Sequence, residues 1–171
     1  RPRLFFGISA GCMDSMVNKY TGNKRLRSDD AYTPDGRPDM RPEYPSIVYT
    51  QILKKLYPDV PVVLGGIEAS MRRLSHYDYW QDRLKKSILC ESGADMLIYG
   101  MGEKPICELV RRLTALCDNQ DGVISSSDIH SPALSSIPQT AYLTRKYESD
   151  ENDITLYSHE ECLADKKKQA T

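Results

Sequence analysis

The sequence predicts a three-layer α/β domain of Rossmann-like type, built on a mostly parallel sheet. Three observations carry that prediction. Short apolar runs at Leu4–Ile8, Val60–Leu64 and Asp95–Tyr99 read as strands, each closing on a glycine-bearing turn. Longer stretches of helical character alternate with them, and a strand, helix, strand, helix order with short loops is the signature of βαβ units with right-handed crossovers. The run Val62-Val63-Leu64 lacks polar alternation, so it is expected to be covered on both faces, as parallel strands are.

Taken in order, Leu4 to Ile8 is the first strand, closed by Ser9-Ala10-Gly11. The polar stretch from Cys12 to Met40 is long for a connection inside a compact domain, and such loops are usually functional or disordered. Residues 12–19 can form a short helix at the strand end, and Pro34-Asp35-Gly36 is turn chemistry. Tyr44–Leu56 is a predicted helix, with Pro45 in its first turn and Val48, Ile52 and Leu56 recurring every fourth residue beside Leu53. Pro58 ends it before the second strand, which runs into Gly65-Gly66. A further helix is expected over Asp82–Glu91, with Leu84, Ile88 and Leu89 inward and Gly93 as its cap.

The third strand, Asp95–Tyr99, closes on Gly100-Met101-Gly102-Glu103. Pro105 then sits in the first turn of a strong helix to about Cys117, whose stripe is Ile106, Leu109, Val110, Leu113 and Leu116. Asp118–Ser136 reads as a surface loop, Thr140–Thr144 as a last edge strand, and Ser149–Asp153 as an acidic connection. Ser158 with Glu161 three residues on is a capping box, opening a C-terminal helix that ends in Lys166-Lys167-Lys168.

At 171 residues, 40% hydrophobic and 27% charged, the chain is long enough for one domain with a real core. The net charge of −1 predicts no strong attraction to nucleic acid or membranes. The halves differ: residues 1–90 carry 15 Lys/Arg against 10 Asp/Glu, and residues 91–171 carry 8 against 14. That asymmetry fits mutual packing of the halves as well as an anionic ligand, and the Lys24–Arg27 run is most often a solvated face. The five cysteines (Cys12, Cys90, Cys107, Cys117 and Cys162) include no Cys-x-x-Cys pair, and there is no signal peptide or long apolar run. A reduced, cytoplasmic setting is expected, without a zinc or iron–sulfur site made by this chain alone. The first residue is not methionine, and the sequence reads as a piece of something longer, with upstream strands of the sheet missing.

Candidate chemistry concentrates between Val62 and Trp80. Gly65-Gly66 permits a close approach of ligand to backbone, or is a tight turn with a packing role. It is neither a Gly-x-Gly-x-x-Gly fingerprint nor a phosphate loop. Gly100-x-Gly102-Glu103 sits at the matching end of the next strand, so a shared crevice is expected at the sheet's carboxyl edge. Arg72, Arg73, His76, Tyr77, Tyr79 and Trp80 suit either a clamp for an anionic aromatic ligand or a docking face within a larger protein. Asp78 beside His76 invites an acid/base reading, although a single histidine is more often structural. Cys12, near Asp14 and a helix start, is more simply an accessible or buried thiol than a reactive one.

Three separated blocks, GISAGCMDSMVNKYTGNKRLRSDDAYTPDG, VPVVLGGIEASMRRLSHYDYW and ADMLIYGMGEKPICEL, resemble in sequence and order the N-terminal domain of YgiQ-type radical SAM proteins. The resemblance is strongest over about residues 3–117, while residues 118–171 look like that domain's variable end. It implies a radical SAM core downstream in the same polypeptide, carrying a [4Fe–4S] cluster and S-adenosylmethionine on a Cys-x-x-x-Cys-x-x-Cys motif that is absent here. On that reading this chain is an accessory domain that helps bind an unknown substrate or covers the reaction site, and is inactive alone. The pattern also resembles the cobalamin-binding Rossmann-like domains of other radical SAM enzymes, without their Asp-x-His-x-x-Gly motif, so a cobalamin- or nucleotide-binding module is the alternative to the accessory role. The resemblance implies a cofactor-binding set of Gly65, Gly66, Glu68, Gly100, Gly102 and Glu103, with no catalytic residue. It leaves Arg72, Arg73, His76, Tyr77, Asp78, Tyr79 and Trp80 as a substrate or docking surface.

Overall fold

Three apolar runs become the centre of one sheet. The computed structural model describes residues 1–119, 122–145, 147 and 150–169, so residues 120 and 121 of the Asp118–Ser136 stretch and residue 149 of the acidic stretch lie outside the described residues. Strands β1 (Phe6–Ile8), β2 (Val62–Leu64) and β5 (Met96–Ile98) are parallel in the order β1-β2-β5, and β6 (Thr140–Ala141) closes the far edge antiparallel to β5. The antiparallel pair β3 (His76–Asp78) and β4 (Arg83–Lys85) stands apart as a hairpin.

Side chains alternate across the sheet with the period of two that a strand imposes. Val63, Met96 and Ile98 face one side, where Leu109, Leu113 and Cys117 of α5 (Glu103–Asn119) cover them. Val62, Leu64 and Leu97 face the other, against Ala69 of α3 (Gly66–Met71) and Ile88 and Leu89 of α4 (Ile88–Ser92). Ile47 and Leu53 of α2 (Pro45–Leu56) complete that layer. The three-layer expectation holds, and so does the mostly parallel sheet.

Four local expectations change. Asp82–Glu91 is not one helix: Arg83–Lys85 pairs as β4 with β3, placing His76 opposite Lys85 and Asp78 opposite Arg83. The turn between them is held by the Asp78 carboxylate, which accepts the Gln81 N–H at 2.8 Å, and Asp82 takes a left-handed φ of 49°. Helix α4 starts only at Ile88, with Ser87 as N-cap and Gly93 as the left-handed C-cap the sequence predicts.

The inward stripe of α2 is also different. Ile52 and Leu56 are exposed, whereas Ser46 and Thr50 are buried. The Ser46 N–H is bound by a buried carboxylate and Thr50 Oγ1 donates back to the Ser46 carbonyl at 2.7 Å, so the inward face carries these polar groups with Leu53, and the expected apolar stripe faces out.

The stretch read as surface loop 118–136 sends Ile124, Ile129 and Leu134 into the core, through a 3-10 turn at Ser126–His130 and helix α6 (Pro132–Ser135). The C-terminal helix does start at the Ser158–Glu161 capping box, as α7 (His159–Ala164), but it ends before the lysines, which form a 3-10 turn. The 12–40 connection is ordered around buried Asp30, which accepts from Asn18 Nδ2, the Tyr32 N–H and Arg41 Nε. Within it lies the expected short helix, α1 (Ser15–Lys19), with the Asp14 carboxylate accepting from the Met16 and Val17 N–H groups.

Candidate functional site

Two concavities flank α3. The first is a crevice of about 490 Å³ at the carboxyl ends of β1, β2 and β5. Its floor is backbone and apolar side chain, from Ile8, Leu64 and Ile98, and its rim carries Gly65, Gly66, Gly100, Gly102, Ser9 and Glu103. Glycine is required at 66 in particular: its φ is +82°, and an added Cβ would stand 2.5 Å from Ser9 Oγ. Gly100 is similar, with a φ of +70° and Gln139 Nε2 2.9 Å from a built Cβ. Gly65 and Gly102, by contrast, have ordinary φ, and a built Cβ makes only ordinary contacts there, with the Ile98 carbonyl oxygen at 4.0 Å and Ile98 Cγ2 at 3.4 Å, so neither glycine is demanded by the turn.

A hydroxyl ties the two glycine turns together. Ser70 Oγ donates to the Gly66 carbonyl at 2.8 Å and accepts the Gly100 N–H at 3.3 Å. The sequence carried no signal for this role beyond a small polar residue one turn after the glycines. Arg73 belongs to the same neighbourhood: its Nη1 donates to the Ser70 carbonyl and its guanidinium lies 4.9 Å over the Tyr99 ring.

Glu68 does not line the crevice. It is fully buried, and its two carboxylate oxygens accept the Ser15 N–H and the Ser46 N–H, each at 3.1 Å. One carboxylate thus serves the first turns of both α1 and α2, where backbone donors have no partner within the helix. Its place is structural, and its separation of 53 and 22 residues from those partners hides it from local sequence reading.

The second concavity, about 420 Å³, lies at the other end of α3 and gathers Arg72, His76, Tyr77, Asp78, Tyr79 and Trp80 from the sequence-predicted cluster, without Arg73. Its charged groups already have protein partners. Arg72, 8% exposed, donates from Nη1 to the Asp14 carboxylate and lies over the Tyr44 ring. Burial alone would lower its pKa, but the hydrogen bond and charge of Asp14, with Glu68 and Tyr44 adding, raise it instead. Asp78 behaves in the same way with opposite sign. Burial pushes its carboxyl up, and the Tyr44 hydroxyl at 2.6 Å, the Gln81 N–H, Lys85 and Arg72 hold it below the usual carboxylate range. Tyr44 is correspondingly raised, by burial and by that bond to Asp78.

His76 and Asp78 have different partners. The His76 ring bonds the Leu74 carbonyl through Nδ1 at 3.1 Å, while the Asp78 oxygens take Tyr44 and Gln81. Burial lowers the His76 pKa, with Arg72 and Lys85 adding to the effect against the opposing Leu74 carbonyl and Glu91. Cys12 is exposed with its Sγ 2.8 Å from Tyr32 Oη, and Asp14 is turned inward to Arg72 rather than toward the thiol.

The cysteines do not fit an iron–sulfur cluster on this chain. Cys12, Cys90 and Cys107 are exposed, Cys117 and Cys162 are buried, and among the described residues no group of three or more His, Cys, Asp or Glu is placed to hold a metal ion. The crevice likewise presents no histidine that could reach a corrinoid cobalt. No helix among the described residues is long and apolar enough to cross a membrane.

Comparison with known proteins adds the following. The family described as Radical SAM N-terminal matches residues 1–171. A UPF0313 protein of Bacteroides thetaiotaomicron is 72% identical over 173 residues, covering all of this chain and 28% of that protein. A UPF0313 protein of Porphyromonas gingivalis is 63% identical, over 99% of this chain and 25% of its own length. UPF0313 protein YgiQ of Escherichia coli is 57% identical over 113 residues, or 66% of this chain and 15% of YgiQ. The chain therefore spans about a quarter of the length of the first two of these relatives. No solved structure matches it.

Proposed function

The chain belongs to the radical SAM N-terminal family, and on that premise we propose that it is an accessory domain of a longer radical SAM polypeptide. Its part is to help bind the substrate, or to cover the reaction site, at the crevice formed by the ends of β1, β2 and β5. What supports this reading is the make-up of the crevice: glycine backbone and apolar walls, with Ser9 and Glu103 as the polar side chains on its rim. Such a lining holds and orients a ligand through shape and backbone groups, as open α/β sheets do at this edge. It pairs no nucleophile with a base.

In the parent, the [4Fe–4S] cluster and S-adenosylmethionine supply the radical chemistry when bound. This chain's residues exclude water from the bound substrate and fix its orientation. The test compares the 171-residue chain with its parent polypeptide. The parent is expected to cleave S-adenosylmethionine reductively, and the chain alone is expected not to. Turnover by the isolated chain overturns the assignment.

A docking role draws on a separate observation, the exposed face of α2 at Tyr49, Ile52 and Leu56. Its occupant is the catalytic core of the same polypeptide. Ile52→Glu is then expected to weaken association of domain and core while leaving ligand affinity at the crevice unchanged.

A further inference from the structure

The hollow at Trp80 is distinct from the crevice and is built differently. Two polar nitrogens at it, Arg72 Nε and His76 Nε2, are shielded from solvent and have no hydrogen-bond partner. Buried donors and acceptors left without a partner are few in native proteins, and each calls for an explanation. Their roles follow from what is already bound. A guanidinium Nε carries a hydrogen and only donates. The Leu74 carbonyl only accepts, so His76 Nδ1 carries the proton and Nε2 of the neutral ring is an acceptor. The lowered pKa of His76 keeps the ring neutral near pH 7.

The walls add a second requirement. Tyr77 and Tyr79 are each about half exposed, Tyr79 meets Trp80 edge to face at 5.2 Å, and Met71 stands exposed at the rim. Charge excludes the simplest alternative. Arg72 is already neutralised by Asp14, and the Asp14 and Asp78 carboxylates line the same hollow, so an anion would meet a net negative floor, the Lys24 ammonium lying outside the lining, on the Tyr79 ring.

We propose that this hollow binds an uncharged nitrogen heteroaromatic ring of the nucleobase class. A base edge offers an acceptor to Arg72 Nε and an adjacent donor to His76 Nε2, while its face stacks on the Tyr77 and Tyr79 rings. The ligand reaches the two nitrogens by displacing the exposed side chain of Met71. Base stacking on such rings is tolerant of identity, and the donor–acceptor pair supplies the selectivity.

Trp80 is the chain's single tryptophan and lines the hollow, so its emission reports occupancy. Adenosine and uridine are titrated separately, reading the part of the emission that Trp80→Phe removes, with inorganic phosphate as the charged control. At least one nucleoside is expected to give a saturable change, and phosphate none. Tyr79→Ala is expected to weaken binding about 5- to 100-fold through lost stacking. His76→Phe is expected to weaken it about 2- to 10-fold through one lost hydrogen bond. Both variants leave the buried Arg72–Asp14 pair intact, and circular dichroism verifies the fold. Absence of saturation with both nucleosides to millimolar concentration overturns the proposal. So does equal binding of phosphate, or an affinity unmoved in folded His76→Phe.

Discussion

The crevice and the Trp80 hollow lie at opposite ends of the six-residue helix α3, and they are made of opposite materials. The crevice is shaped by what is missing, side chains at Gly65, Gly66, Gly100 and Gly102, and its polar interactions come chiefly from backbone. The hollow is shaped by what is present, a packed set of charged and aromatic side chains hydrogen-bonded to the surrounding loop, helix and hairpin. The first can change ligand with little change in stability. The second couples any ligand to the network that holds the N-terminal loop, α2 and the hairpin together.

The largest expected effect is at Glu68, buried in the helix between the two. Glu68→Ala strands two buried N–H donors, those of Ser15 and Ser46, and should cost about 2–6 kcal/mol at about 1–3 each, measured by urea unfolding. A loss under 1 kcal/mol would show that the carboxylate does not join α1 to α2. Next comes the contrast of neighbours at the crevice. Gly66→Ala should destabilise by about 1–3 kcal/mol because of its positive φ and the Ser9 contact, whereas Gly65→Ala should stay under about 1. Equal values in thermal denaturation would remove the distinction between a turn glycine and a space-making one.

Ser70→Ala should cost about 0.5–1.5 kcal/mol, the range for one hydrogen-bonding group, and should raise hydrogen exchange at the Gly100 N–H. The smallest effect concerns pH. His76 has a folded pKa below its ordinary value, so the unfolded state binds the extra proton more readily. Its contribution to stability is complete above about pH 6.5, the ordinary histidine value, and declines as pH falls through and below that value. His76→Phe should flatten that decline in denaturation midpoints measured between pH 7 and 5.

The sheet was legible in the sequence because Val62-Val63-Leu64 and Met96-Leu97-Ile98 need cover on both faces, and only a layered α/β arrangement supplies it. The crevice was legible for a related reason: glycines after successive parallel strands fall on one edge. Strand β4 was not, since Arg83-Leu84-Lys85 has no strand composition. Lys85 is buried there by an ion pair to Glu91 and by lying 4.5 Å over the Tyr44 ring, both remote in sequence. Residues 72–80 announced a site by composition, but not that Arg72 would be spent on Asp14, 58 residues away. Periodicity likewise pointed α2 the wrong way, because Glu68 holds the Ser46 N–H and Thr50 bonds the Ser46 carbonyl, partners that a pattern of apolar residues does not register.

The most direct test of the account fills the crevice without straining it. Gly65 has ordinary φ and a built Cβ meets only the Ile98 carbonyl oxygen, at 4.0 Å, so Gly65→Leu places a side chain where the ligand is proposed to lie. In the parent polypeptide this variant is expected to keep its thermal transition and to lose substrate-dependent S-adenosylmethionine cleavage by more than about tenfold. Wild-type turnover with the crevice filled would contradict the account.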